Sequence, residues 1–124
     1  MAGERVLVVE DNEKNMKLVR DVLEATGYRT IEAERAEDAI ELARSHAPAL
    51  VLMDVQLPGI DGVEALARLR RDERTAAIPV VALTAQAMQG DRERFLDSGF
   101  DGYLSKPLDL GELIATVRKH CTRG

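Results

Sequence analysis

Tryptophan is absent from this 124-residue chain, and its only aromatics are Tyr28, Phe95, Phe100 and Tyr103, so its core must be aliphatic. Cysteine is nearly absent as well. The single Cys121 cannot form an internal disulfide, and with His46 and His120 it makes no zinc spacing. No apolar stretch approaches the roughly 20 residues of a membrane span, and the N-terminus lacks the basic stretch and apolar core of a secretory leader. An excess of positive charge is missing too. The net charge of -5 argues against non-specific nucleic-acid binding, which needs Lys and Arg to neutralise phosphates. Repeats and low-complexity segments are also lacking. These absences leave one soluble domain, long enough for a single core, expected in the cytoplasm with neither nucleic acid nor membrane among its partners.

What is present is an alternation of short apolar runs with longer amphipathic ones, the βαβ pattern of a parallel sheet. Five strands are expected, at Arg5 to Val9, Arg29 to Ala33, Ala49 to Met53, Val80 to Thr84 and Gly102 to Leu104. The first, third and fourth are nearly continuous Val/Leu runs, which suits strands buried on both faces. The second alternates and is less apolar, as an edge strand would be. The five helices between and after them are equally legible. Asn12 can cap the first, which carries Met16, Val19, Val22 and Leu23 inward and stops near Gly27. The second covers about Ala36 to Ser45 with Ala39, Ile40 and Ala43 on one face. The third follows Asp61-Gly62 and presents Val63, Leu66 and Leu69. The fourth, about Gln89 to Ser98, is thin in apolar residues. The fifth starts after Asp109 and buries Leu110, Leu113, Ile114 and Val117, spaced i, i+3, i+4, i+7. The expected fold is α/β, a doubly wound five-stranded parallel sheet of order 2-1-3-4-5 with its switch point between strands one and three.

Polar groups gather where these strands end. Strand one runs into Glu10-Asp11, strand three into Asp54, strand four into Thr84 and strand five into Ser105-Lys106-Pro107. In an open α/β sheet that edge is where chemistry resides. Glu10-Asp11 alone could be a solvated helix-capping pair. With Asp54 beside it, three carboxylates would repel one another without a cation, and Mg²⁺ suits one or two carboxylates, waters and a phosphate oxygen. Asp54 as nucleophile would form an acyl phosphate. Lys106 would bring positive charge to the transferring group and Thr84 a hydroxyl hydrogen bond, while the small Ala85 leaves room for it. Taken singly, Thr84 and Lys106 are ordinary surface or strand-end residues. Lys106-Pro107 is a candidate cis peptide in a tight turn.

The segments Val8-Val9-Glu10-Asp11-Asn12, Leu52-Met53-Asp54-Val55-Gln56-Leu57-Pro58-Gly59-Ile60-Asp61-Gly62, Ala82-Leu83-Thr84-Ala85 and Tyr103-Leu104-Ser105-Lys106-Pro107 resemble the receiver domain of two-component response regulators, over essentially the whole chain. The resemblance implies a CheY-like fold, an arrangement the strand order itself is known for. It implies Asp54 as phosphoacceptor and Asp11 and Asp54 as direct ligands of Mg²⁺, or of Mn²⁺ in its place. Glu10 would hold a metal-bound water and the main-chain carbonyl of Gln56 would be a further ligand. It also implies that Lys106 pairs with the phosphoryl group and that Thr84 and Tyr103 move together on phosphorylation. Glu10 replaces the Asp that many members carry first in the acid pair, and its longer side chain can still reach through water. Gln56 and Gln86 stand where receivers line the path of hydrolytic water. Neither is an acid, so the acyl phosphate is expected to be comparatively long-lived.

Within that family the segments around Glu10 and Thr84 look most like a single-domain cell-cycle regulator, though similar wording occurs in receivers of hybrid histidine kinases. The chain ends seven residues after Val117, so residues 1–124 are expected to be a receiver without an output domain. The implied partners are a sensor histidine kinase or histidine phosphotransferase and a downstream protein target. The target would be met by the face of the fourth helix, fifth strand and fifth helix of a monomer. Beyond self-catalysed phosphotransfer and dephosphorylation no enzymatic activity is expected. A haloacid dehalogenase-type phosphatase shares the strand-end Asp, Thr, Lys and Mg²⁺, but would carry a second Asp where Gln56 stands. A flavodoxin-like carrier would not place Glu10-Asp11 against a flavin phosphate.

Overall fold

Every side chain of Leu50–Asp54 and Val80–Thr84, and all but the first of Arg5–Val9, is buried, and these three runs form the middle of a sheet. A computed structural model describes residues 4–55, 62–84 and 97–121. The chain runs β1 (Arg5–Val9), α1 (Glu13–Ala25), β2 (Arg29–Ala33), α2 (Ala36–His46), β3 (Leu50–Asp54), α3 (Gly62–Arg71), β4 (Val80–Thr84), β5 (Gly102–Ser105) and a C-terminal helix (Leu110–Cys121). All strand pairs are parallel, in the order β2-β1-β3-β4-β5. The expected order and all five strands are therefore found, with β3 and β5 each reaching one residue further than the apolar runs suggested. The helix expected over Gln89 to Ser98 lies outside the described residues except at its last two positions.

Alternation along the strands divides the core into two layers. Leu7, Val9, Val51, Met53, Val80 and Ala82 face α2 and α3, packing with Ala36, Ala39, Ala43, Ala65, Leu66, Leu69 and Phe100. Val6, Val8, Leu50, Leu52, Val81 and Leu83 face α1 and the C-terminal helix, packing with Met16, Val19, Leu23, Leu113, Val117 and Cys121. Two expected core residues lie outside. Val63 is 41% exposed, because the buried stripe of α3 is Gly62, Ala65, Leu66 and Leu69 and Val63 falls beside it. Leu110, at the first position of the C-terminal helix, is 45% exposed, beyond the end of the strip Leu113, Val117 and Cys121. Val22, Ile40 and Ile114 are half-buried.

Local chemistry delimits the helices as expected. The Asn12 side chain accepts from Lys14 N at 2.9 Å and Asn15 N at 3.1 Å, capping α1. The turn after α1 carries Gly27 at φ 98°, which glycine adopts without steric cost. Asp109 accepts from Glu112 N at 3.0 Å and caps the C-terminal helix.

Candidate functional site

Register sets the site. Val9 pairs with Met53, so the next residue of β1, Glu10, emerges beside Asp54. Asp54 in turn pairs with Leu83, and Thr84 with Ser105, which puts Lys106 one step past the edge of β5. Main-chain bonds hold these ends: Glu10 N donates to Ala33 O at 3.0 Å, Val55 N to Leu83 O at 3.1 Å and Lys106 N to Thr84 O at 2.8 Å. Four strand ends thus present their side chains at one edge of the sheet.

Three carboxylates converge there. Ligand oxygens of Glu10, Asp11 and Asp54 all lie within 4.8 Å of one another. Glu10 and Asp54 are buried, at 1% and 4% exposure, and Asp11 faces solvent. Lys106 reaches back over the pair with Nζ 2.7 Å from Asp54 Oδ2 and 2.7 Å from Glu10 Oε1. The first contact is a hydrogen bond. The second is close in charge but poorly directed, and leaves Glu10 Oε1 without a hydrogen-bond partner among the described residues. The other carboxylate oxygen, Oε2, accepts from Asn12 N at 3.2 Å. The Lys106–Pro107 peptide is cis.

One ammonium does not balance three carboxylates. Burial pushes the Glu10 carboxyl up from its ordinary value, with Asp54 adding to the rise against the pull of Lys106 and the Asn12 amide. Burial would lower the Lys106 ammonium, but its hydrogen bond to Asp54 and its ion pair with Glu10 outweigh that and hold it raised. An all-oxygen donor set with surplus negative charge, and a buried carboxylate oxygen lacking a hydrogen bond, fits a hard divalent cation such as Mg²⁺.

The remaining expected residues divide in two. Thr84 is fully buried at the end of β4. Tyr103, in register with Ala82, is half-buried and packs on the α2–α3 side of the core, so it is not a purely exposed strand-end aromatic. Gln56, Ala85 and Gln86 lie outside the described residues.

Sequence reading missed two features that frame the site. One is Gly62, whose place on α3 backs directly onto Val55. The other is Arg70, which donates to Ala76 O at 3.0 Å, Ile78 O at 2.7 Å, Gly99 O at 3.2 Å and Asp101 Oδ2 at 2.9 Å. Asp101 Oδ2 also accepts from Val80 N at 2.8 Å. No sequence signal pairs side chains 31 residues apart, although a carboxylate just before a strand was visible. A cleft of about 680 Å³ lies elsewhere, between α2 and α3, and its lining is largely ion-paired, with Arg44 Nε 2.6 Å from Asp72 Oδ2.

Residues 6–118 match the model of the response regulator receiver domain. The chain is 48% identical over 115 residues to the polar-differentiation response regulator DivK of Brucella ovis, covering 93% of this chain and 94% of that one. Among solved structures it is similar to a response regulator from Chloroflexus aurantiacus, with TM-score 0.91, 30% identity and coverage of 98% and 99%. It is also similar to the receiver domain of a sensor histidine kinase from Pseudomonas aeruginosa, with TM-score 0.89, 36% identity and coverage of 97% and 98%. That structure has a magnesium ion coordinated in its active-site cleft.

Proposed function

The chain belongs to the response regulator receiver domain family, and from that premise we propose that Asp54 is its phosphoacceptor, charged by a histidine kinase or histidine phosphotransferase. The observation that carries this is the Lys106 ammonium held 2.7 Å from both Asp54 and Glu10 at one strand edge. An Asp54 oxygen attacks phosphorus. The O–P bond forms as the P–N bond to the donor imidazole breaks, and the electron pair of that bond leaves with the imidazole, which takes up a proton. Little else is asked of the protein than positioning and charge. Lys106 neutralises one phosphoryl oxygen, giving up its contact with the Asp54 oxygen that becomes phosphorylated. The Thr84 hydroxyl donates to another. A divalent ion held by Asp11 and Asp54, by Glu10 through water and by the Gln56 carbonyl would neutralise the rest.

The output is a protein–protein contact rather than catalysis on another molecule. Its surface is the face of β5 and the C-terminal helix, where a hollow of about 330 Å³ is lined by Tyr103, Ser105, Glu112, Ala115 and Thr116. Withdrawal of Thr84 toward the phosphoryl group frees space that Tyr103 can enter. The similarity to DivK along nearly the full length of both chains favours a response regulator of that kind. The similarity to a histidine kinase's receiver favours, more weakly, a module of a hybrid kinase.

Intact-mass measurement with acetyl phosphate tests the assignment. Wild type should gain one phosphoryl group with Mg²⁺ and none in chelator, and Asp54→Asn should gain none. Equal labelling of both proteins would sink it.

A further inference from the structure

Gly62 opens α3 in a buried position. A Cβ built on it would lie 2.8 Å from Val55 Cα and 3.3 Å from both Val55 Cβ and the Asp54 carbonyl oxygen. The nearest of these is main chain, which cannot swing aside as the end of a long side chain does. Val55 is also pinned: its N–H donates to Leu83 O at 3.1 Å and its carbonyl accepts from Gly62 N at 3.3 Å. Asp54 stands in register with Leu83. The backbone that carries the Asp54 carboxylate is therefore clamped between β4 on one side and the first turn of α3 on the other.

Helix propensity alone favours alanine over glycine, and replacing Gly by Ala generally stabilises where the backbone permits it. Open space is what a dispensable glycine would show. Here there is none, so a side chain at this position must displace either α3 or the Asp54–Val55 main chain.

We propose that Gly62 is a positioning residue for phosphoryl transfer: its lack of a side chain lets α3 seat on Val55 and sets the reach of Asp54 toward Glu10 and Lys106. A displacement of a few tenths of an ångström upward at Asp54 changes its alignment with the incoming phosphorus and its share of the cation. The inference rests on Asp54 being the phosphoacceptor, and on neither the identity of the donor nor that of the target.

Gly62→Ala is the test, with Val117→Ala as a control that empties core space on the opposite face of the sheet. Phosphorylation rate with acetyl phosphate, Mg²⁺ affinity by backbone NMR titration and urea midpoint are measured on each. Gly62→Ala is expected to phosphorylate about ten- to a hundredfold more slowly at saturating Mg²⁺, the scale of a misplaced reacting group, and to bind Mg²⁺ more weakly. Val117→Ala should lose stability and keep both. A Gly62→Ala protein that matches wild type in rate and affinity overturns the inference, as does one that slows no more than the control. If Gly62→Ala is unfolded in buffer, the same measurements are made in trimethylamine N-oxide, which favours the folded state. A chain still unfolded there makes Gly62 a requirement of folding and overturns the positioning role. Failure of wild type itself to be labelled at Asp54 would instead refute the phosphoacceptor reading.

Discussion

Lys106 sets one ammonium between two buried carboxylates, and the negative charge left over is what a cation would complete. Removing the ammonium leaves Glu10 and Asp54 facing each other with little solvent, and breaking a buried pair by deleting one partner is costly because the other charge is stranded. Lys106→Met should therefore lower metal-free stability at neutral pH by about 3 kcal/mol, and Mg²⁺ should restore much of it. Urea unfolding with and without Mg²⁺ reads this directly. A Lys106→Met protein as stable as wild type in chelator would show that the ammonium is not what holds the carboxylates together.

At the scale of elements, the sheet has a chemical end and a structural end. At the structural end Arg70 closes the last turn of α3 and satisfies three carbonyls and Asp101, tying the turn after α3 to the start of β5. Arg70→Met keeps the stem but leaves those acceptors to water or unpaired. It is expected to cost about 2 kcal/mol, from several lost hydrogen bonds to a charged group. The urea midpoint should fall while the rate of Asp54 phosphorylation stays within about twofold, since the clamp stands at the other end of the strands. The C-terminal helix carries a different signal. Burial lowers the His120 imidazole from its ordinary 6.5, with Lys119 pushing the same way and Asp101 opposing. The folded protein thus binds the His120 proton less readily than the unfolded chain does. Its contribution to stability is complete above about pH 7 and is lost as pH falls through the depressed value. His120→Gln should flatten the fall in urea midpoint between pH 7 and pH 5. An unchanged slope would exclude His120 as its source.

For the whole molecule, the question is how an event at the strand ends reaches a partner. Thr84 and Tyr103 belong to adjacent strands, one fully buried and one half-buried, and in the proposed switch a shift of the first would change the packing open to the second. Phosphorylation signals only insofar as it favours one packing by differential free energy. Backbone NMR of the free and beryllofluoride-bound protein should show shifts at Asp11, Asp54 and Lys106 and also along β5 and the C-terminal helix. Silence in β5 and that helix would exclude the route through Tyr103.

The sequence by itself determined the sheet order, the strand positions and the convergence of Glu10, Asp11, Asp54, Thr84 and Lys106. Doubly buried strands need unbroken aliphatic runs, and in a parallel sheet every run ends at the same edge. The cap of α1 at Asn12 was legible for the same local reason. Tertiary structure alone decided which apolar residues are core. Val63 and Leu110 carry the right chemistry but sit beside or beyond the buried stripe, and only docking against the sheet shows it. It alone decided that Lys106 touches Glu10 as well as Asp54, that Gly62 must yield its space to Val55, and that Arg70 meets Asp101. Those contacts join residues far apart in the chain through the way packed elements approach one another, and local propensity or periodicity carries no record of that distance.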